Sequence, residues 1–60
     1  MEFIVRITLG NDAMQTGVEV ADALDEVAAQ INTDGPFKVG ERGSIADANG
    51  NKVGYWEVQN

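Results

Sequence analysis

The dipeptide Asn49-Gly50 is the sequence feature that most constrains how this chain can fold. Asn-Gly is the preferred pair for a two-residue type I′ hairpin turn, because both positions of that turn need a positive φ. Segments with strand character lie on both sides of it. The sequence therefore predicts a β-hairpin over about residues 42–58, with its turn at residues 49–50.

Counting outward from that turn gives the register of the hairpin. It places Asp47 opposite Lys52 and Arg42 opposite Glu57, which are two pairs of opposite charge. Such pairs, directly across two antiparallel strands, contribute about 0.2–1 kcal/mol each. The charge pattern thus supports the register.

The same register places Trp56 over Gly43, where the missing side chain leaves room for the indole. We take the face that carries Trp56 as the inner face of the sheet. An N-terminal strand over about residues 2–9 supplies the rest of it, since its apolar residues alternate. The expected inner face consists of Phe3, Val5, Ile7, Ile45, Trp56 and Val58.

One helix is predicted between these strands, over about residues 17–32. Thr16 and Glu19 fit a capping box, in which the two residues bond each other's backbone amides. The segment Asn32–Pro36 then ends the helix, because Gly35 suits the left-handed position after the last turn and Pro36 cannot continue it. The expected core stripe is Val20, Leu24, Val27 and Ile31, with Ala21, Ala23 and Ala28 beside it.

The predicted fold is therefore a small single α+β domain over residues 1–60, with the order β-α-β-β. A three-stranded, mainly antiparallel sheet carries one helix packed on one face. In one strand order the second strand of the hairpin lies in the centre and all neighbours are antiparallel. In the alternative order the strand over residues 42–47 lies in the centre, parallel to the N-terminal strand. We expect Phe37 and Val39 to enter the core or to form a short extra strand, and Gly40 and Gly43 to favour a bulge.

Composition excludes several classes of function. The net charge of −6 opposes direct binding to nucleic acid or to an anionic membrane. The chain has no Cys and no His, so it lacks the commonest ligands and nucleophiles of metal sites and catalytic triads. The Asx-rich turn departs from a calcium loop at Lys52 and Val58. We expect no metal, no cofactor, little depth for a cleft, no enzymatic activity and a cytoplasmic location.

Two surfaces remain as candidates for binding a partner. The first is the helix, because six acids and no base lie between Ile7 and Phe37; its candidate residues are Glu19, Asp22, Asp25 and Glu26. The second is the open face of the sheet, with Ile4, Arg6, Val53 and Tyr55. For each surface the alternative is a solvated face without a partner. The loop before the helix adds Asp12, Met14 and Gln15, although Met14 can instead cover the end of the core.

Two segments, IVRITLGNDAMQTGVEVADALDEVAAQI and GSIADANGNKVGYWEV, carry a resemblance. They resemble a group of short uncharacterised proteins of actinobacteria, phages and prophages, most distinctively in GNDAMQT and DANGNKVGYWEV. The resemblance implies a phage-type or mobile-element accessory protein, in the host-cell cytoplasm if phage-encoded, and transfers no catalytic residue.

We therefore expect a non-enzymatic protein that binds a protein partner, or itself as a homodimer. One alternative is an acidic decoy that occupies a basic nucleic-acid-binding protein in place of the nucleic acid. The other is a structural subunit of a larger particle.

Overall fold

The chain forms a three-stranded antiparallel sheet with one helix against one of its faces. The computed structural model describes all 60 residues. Its elements are β1 (Glu2–Ile7), α1 (Gly17–Ile31), β2 (Arg42–Ala46) and β3 (Lys52–Gln59). The strand order is β1-β3-β2, and both pairs are antiparallel. The predicted α+β fold is confirmed, with the second strand of the hairpin in the centre.

The core lies between α1 and the sheet face that carries Trp56. Its buried members are Met14, Ala23, Val27, Ile45, Val53, Trp56 and Val58, and Val5, Ile7, Val20 and Ile31 pack against them half-buried. Most of the expected core is therefore in place. Leu24 is the exception on the helix, because it is 44% exposed. The helix turns Ala23 and Val27 toward the sheet, so Leu24 lies at the margin of the interface between helix and sheet.

A polar side chain ties the last turn of α1 to two strands. Gln30 Oε1 accepts a hydrogen bond of 2.8 Å from Trp56 Nε1, and Gln30 Nε2 donates one of 3.2 Å to the Ser44 carbonyl. Gly43 lies opposite Trp56 in the ladder, as predicted. Because Gly43 has no side chain, the indole and the Gln30 amide approach its backbone closely.

The hairpin turn differs from the prediction. No residue other than glycine has a positive φ, so Asn49-Gly50 is not a type I′ turn. The Gly50 amide donates to the Asp47 carbonyl at 3.0 Å, and the Asp47 amide donates to the Asn51 carbonyl at 2.9 Å. These bonds close a three-residue loop, residues 48–50, with the geometry of a β-turn followed by Gly50 at a φ of +83°.

The longer loop shifts the pairing of β2 with β3 next to the turn. Ala46 lies opposite Lys52, where the predicted register has Val53. Val53 is left as the extra residue of a β-bulge, and its side chain turns into the core, where it is 7% exposed. The predicted pairing of Asp47 with Lys52 and the predicted position of Val53 on the open face are therefore wrong. Both errors follow from counting two loop residues instead of three.

The segment before β2 adds neither a strand nor core residues. Phe37 and Val39 are 40% and 55% exposed, contrary to the expectation. The backbone turns at Lys38–Glu41, closed by a hydrogen bond of 3.2 Å between its end residues, with Gly40 at a φ of +97°. The Phe37 ring lies 5.4 Å from that of Phe3, so these two rings cover the edge of the core instead.

We predict that the substitution Gly43→Ala lowers the free energy of unfolding by about 1–3 kcal/mol. An added Cβ would lie 2.6 Å from Trp56 Cε2 and 2.7 Å from Gln30 Oε1, so both side chains must move away from position 43. Urea denaturation followed by the fluorescence of the single tryptophan measures the change.

Gly17→Ala is the matched control, because a Cβ at Gly17 meets no atom within 4 Å. That variant should be as stable as the parent chain or slightly more stable. Equal destabilisation by the two substitutions would contradict the close approach at Gly43.

Candidate functional site

The capping box predicted at the start of α1 is present. Thr16 Oγ1 accepts a hydrogen bond of 3.3 Å from the Glu19 amide. Glu19 Oε1 accepts bonds from the amides of Thr16, at 3.0 Å, and Gln15, at 2.7 Å. The helix begins at Gly17 for this reason, and the Glu19 carboxylate is held in a fixed position at its N-terminus.

These contacts also set the ionisation of Glu19. The backbone amides of Gln15 and then Thr16 lower the pKa of Glu19 below its ordinary value of 4.5, since they bond the charged form. Desolvation and the negative charge of Asp47 act in the opposite direction. Glu19 thus lies close enough to Asp47 for the two carboxylates to affect each other.

Asp47 is the buried carboxylate of the chain, with 8% of its surface exposed. Its Oδ1 atom accepts hydrogen bonds from the amides of Asn49, at 2.9 Å, and Asn51, at 2.8 Å. An aspartate that bonds the backbone two residues ahead favours a turn, and here it holds the hairpin loop. Its Oδ2 atom is also buried but has no hydrogen-bond partner.

A cavity of about 430 Å³ lies between one side of α1, from Glu19 to Gln30, the loop before α1, and the end of β2 with the start of the hairpin loop. Its lining includes the carboxylates of Glu19, Asp22, Glu26 and Asp47, and no Lys or Arg. We call it the acidic pocket. Its apolar lining is small apart from one methionine, and consists of Ala13, Met14, Ala23, Ala46 and Ala48.

A cavity of this size was not expected in so small a fold. Four of its five apolar lining residues are alanines, and they come from the loop before α1, from α1, from β2 and from the hairpin loop. Short side chains therefore leave space where these elements meet.

Three of the four predicted helical acids line the acidic pocket. Glu19, Asp22 and Glu26 follow one another at spacings of three and four residues and so lie on one side of the helix. Asp25 is exposed on the same helix but is not part of the lining. The helical spacing alone could have separated Asp25 from the other three.

The open face of the sheet is smaller than predicted. Arg6 lies opposite Tyr55, and Ile4 lies opposite Glu57. Ile4 and Tyr55 are half-buried, and Arg6 is exposed. Val53 belongs to the core and not to the open face, so the open face has one apolar residue fewer than predicted. The open face is therefore left with few apolar residues among polar ones.

The loop before α1 contributes to the core and to the pocket wall. Met14 is 1% exposed, so it covers the end of the core and does not present its side chain to solvent. Asp12 and Gln15 are exposed. The Gly10 amide donates to the Met14 carbonyl at 3.0 Å, which folds the loop back on itself.

The carboxylates of the pocket are not close enough together for three of them to hold one metal ion. No group of three or more Asp and Glu side chains in the structure is arranged to hold a metal ion. The carboxylates therefore face one cavity without converging on one point. A ligand that contacts several of them must be larger than a single ion.

Comparisons with protein-family models, curated proteins and solved structures find no significant match to this chain. The helix α1 does not have the length and apolar character that crossing a bilayer requires. The function of the pocket must therefore be inferred from its own residues.

We predict that Glu19 makes the stability of the fold depend on acid pH. A folded-state pKa below the ordinary value adds stability above about pH 4.5, and that stability is lost as the pH falls through the lowered pKa. Glu19→Gln keeps an acceptor for the two amides but cannot titrate. Its urea midpoint should therefore fall less than that of the parent chain between about pH 6 and about pH 3.

Asp25→Asn provides the comparison, because Asp25 lies on the same helix, is outside the acidic pocket and accepts no capping hydrogen bond. Its acid profile should follow that of the parent chain. Identical profiles for all three proteins would refute the proposed contribution of Glu19.

Proposed function

We propose that this chain is a small non-enzymatic accessory protein that acts by binding a basic protein partner through the first half of α1. The observation that carries the proposal is the acidic pocket, where three helical carboxylates and Asp47 face one cavity without a basic residue. Complementary charge between two surfaces speeds their encounter and selects the partner.

The distribution of charge over the chain supports this surface. Asp22, Asp25 and Glu26 are exposed and therefore accessible to a partner. The bases lie outside this region, at Arg6, Lys38, Arg42 and Lys52. The segment that contains the helix therefore carries negative charge without a base to neutralise it, in a chain whose net charge is −6.

The acidic decoy is a second candidate, and the position of Asp47 favours it. A single helix supplies few carboxylates, but the fold adds that of Asp47 beside Glu19. A decoy competes directly with nucleic acid for its partner, whereas an accessory protein that binds elsewhere does not. The resemblance to phage and actinobacterial proteins is compatible with either role.

Self-association through the open face of the sheet is less well supported. The burial of Val53 leaves Ile4 and Tyr55 as its half-buried apolar residues. A patch of this kind is small compared with the interface of a stable dimer. We therefore expect a monomer in sedimentation equilibrium at micromolar concentration, and a concentration-dependent dimer would contradict this.

Partner binding should depend on the exposed acids of α1. Neutralising Asp22, Asp25 and Glu26 together, as D22N/D25N/E26Q, should abolish capture of the partner, whereas Glu19 is retained because it caps the helix. Capture by the parent chain should weaken steeply between about 50 mM and about 500 mM salt, since exposed charges are screened. Affinity purification from the native host, followed by mass spectrometry, measures both effects.

The matched control removes the same number of charges elsewhere, at the exposed residues Glu2, Asp34 and Glu41. The variant E2Q/D34N/E41Q should capture the partner almost as well as the parent chain. Equal losses in the two triple variants, or capture that is independent of salt, would refute the proposal.

A further inference from the structure

We infer that the acidic pocket binds a guanidinium group, the side chain of an arginine on the partner, with Asp47 Oδ2 as its anchor. The inference rests on the proposed function in that it names the chemistry by which the partner is recognised. It is carried by the unpartnered carboxylate oxygen, the acids that line the same cavity, and the size and lining of that cavity.

The first argument is the unpaired oxygen of Asp47. More than nine-tenths of the residue is buried, and its Oδ2 atom has no hydrogen-bond partner. Buried polar atoms in folded proteins are normally paired. The hairpin loop needs only Oδ1, which already accepts the amides of Asn49 and Asn51. The loop therefore accounts for one oxygen. The other has less than 1 Å² of accessible surface, so a donor from outside the chain reaches it only when the side chains that line the pocket move aside.

The second argument is the kind of donor that the pocket fits. Glu19, Asp22 and Glu26 line the same cavity, and no Lys or Arg of the chain neutralises them. Their arrangement does not suit a metal ion. A guanidinium carries one positive charge over a planar group with five N–H donors, so it can bond carboxylates that do not converge on one point.

The third argument is the size and lining of the cavity. Its volume of about 430 Å³ is within the range of about 300–1,000 Å³ that is usual for ligand pockets. The aliphatic stem of an arginine packs well against apolar surface while its charged end stays among polar groups. Here Met14 and the small alanine side chains supply that surface beside the carboxylates.

A nuclear magnetic resonance titration tests the inference on the full chain. The probe is the blocked peptide acetyl-Gly-Arg-Gly-amide, and the readout is the amide resonances of Asn49 and Asn51, which donate to the other oxygen of Asp47. We expect these resonances to shift saturably with the peptide. The same peptide with citrulline, which has nearly the same shape but no charge, should leave them unchanged.

A lysine peptide should bind more weakly than the arginine peptide, because an ammonium is a compact charge and lacks the planar fork. The absence of any shift of Asn49 and Asn51 up to the solubility limit of the arginine peptide would overturn the inference. So would equal shifts with the citrulline peptide. Free arginine that binds more tightly than the blocked peptide would indicate a site for the amino acid and overturn the assignment to a protein partner.

Variants locate the binding within the pocket. Asp47→Asn keeps an acceptor for the hairpin loop and removes the charge, and it should weaken the arginine peptide by at least about tenfold. Glu26→Gln and Asp25→Asn form a matched pair that leaves the loop intact, because only Glu26 lines the cavity. Glu26→Gln should weaken binding of the arginine peptide severalfold, and Asp25→Asn should hardly change it. Equal effects would show that the peptide is attracted by the overall negative charge of the helix, and would refute binding in the pocket.

The two proposals can fail separately. If the exposed acids of α1 are needed to capture the partner but the arginine peptide does not bind, the pocket assignment fails and the proposed function stands. If the peptide binds at Asp47 but capture does not depend on those acids, the guanidinium site stands and the proposed function fails.

Discussion

The carboxylate of Asp47 connects the shape of the hairpin to the composition of the core. By accepting the amides of Asn49 and Asn51, it holds a three-residue loop in place of the two-residue turn. The extra loop residue shifts the pairing of β2 and β3 and leaves Val53 without a partner in β2, as the extra residue of a bulge. As a result Val53 points into the core, where a chain of 60 residues has few large apolar side chains to bury.

Much of the fold could be predicted from the sequence, because the relevant signals are local. The capping box of Thr16 and Glu19 fixes where α1 begins. Alternation in β1, and in β3 beyond the bulge at Val53, fixes the inner face. The small residue Gly43 opposite Trp56 identified a specific contact across the strands. Each of these features depends on residues that are close in the chain or directly paired.

The turn itself was mispredicted because its key contact is not encoded in the Asn-Gly pair. A type I′ turn and a three-residue loop both place Gly50 at a positive φ, so the glycine does not distinguish them. The hydrogen bonds of the Asp47 side chain decide between them. The acidic pocket escaped prediction for a related reason, since Asp47 joins the helical acids only through the tertiary fold.

The pocket is difficult to explain by stability alone. A buried acceptor without a partner costs about 1–3 kcal/mol, and carboxylates around one cavity repel each other. The effect of Asp47 on the pKa of Glu19 is one sign of that repulsion. A small domain has little stability to lose, so local conflicts of this kind are expected mainly where function requires them. A bound cation with several donors would pair the free oxygen and offset the repulsion at once, which is what the proposed guanidinium site would supply.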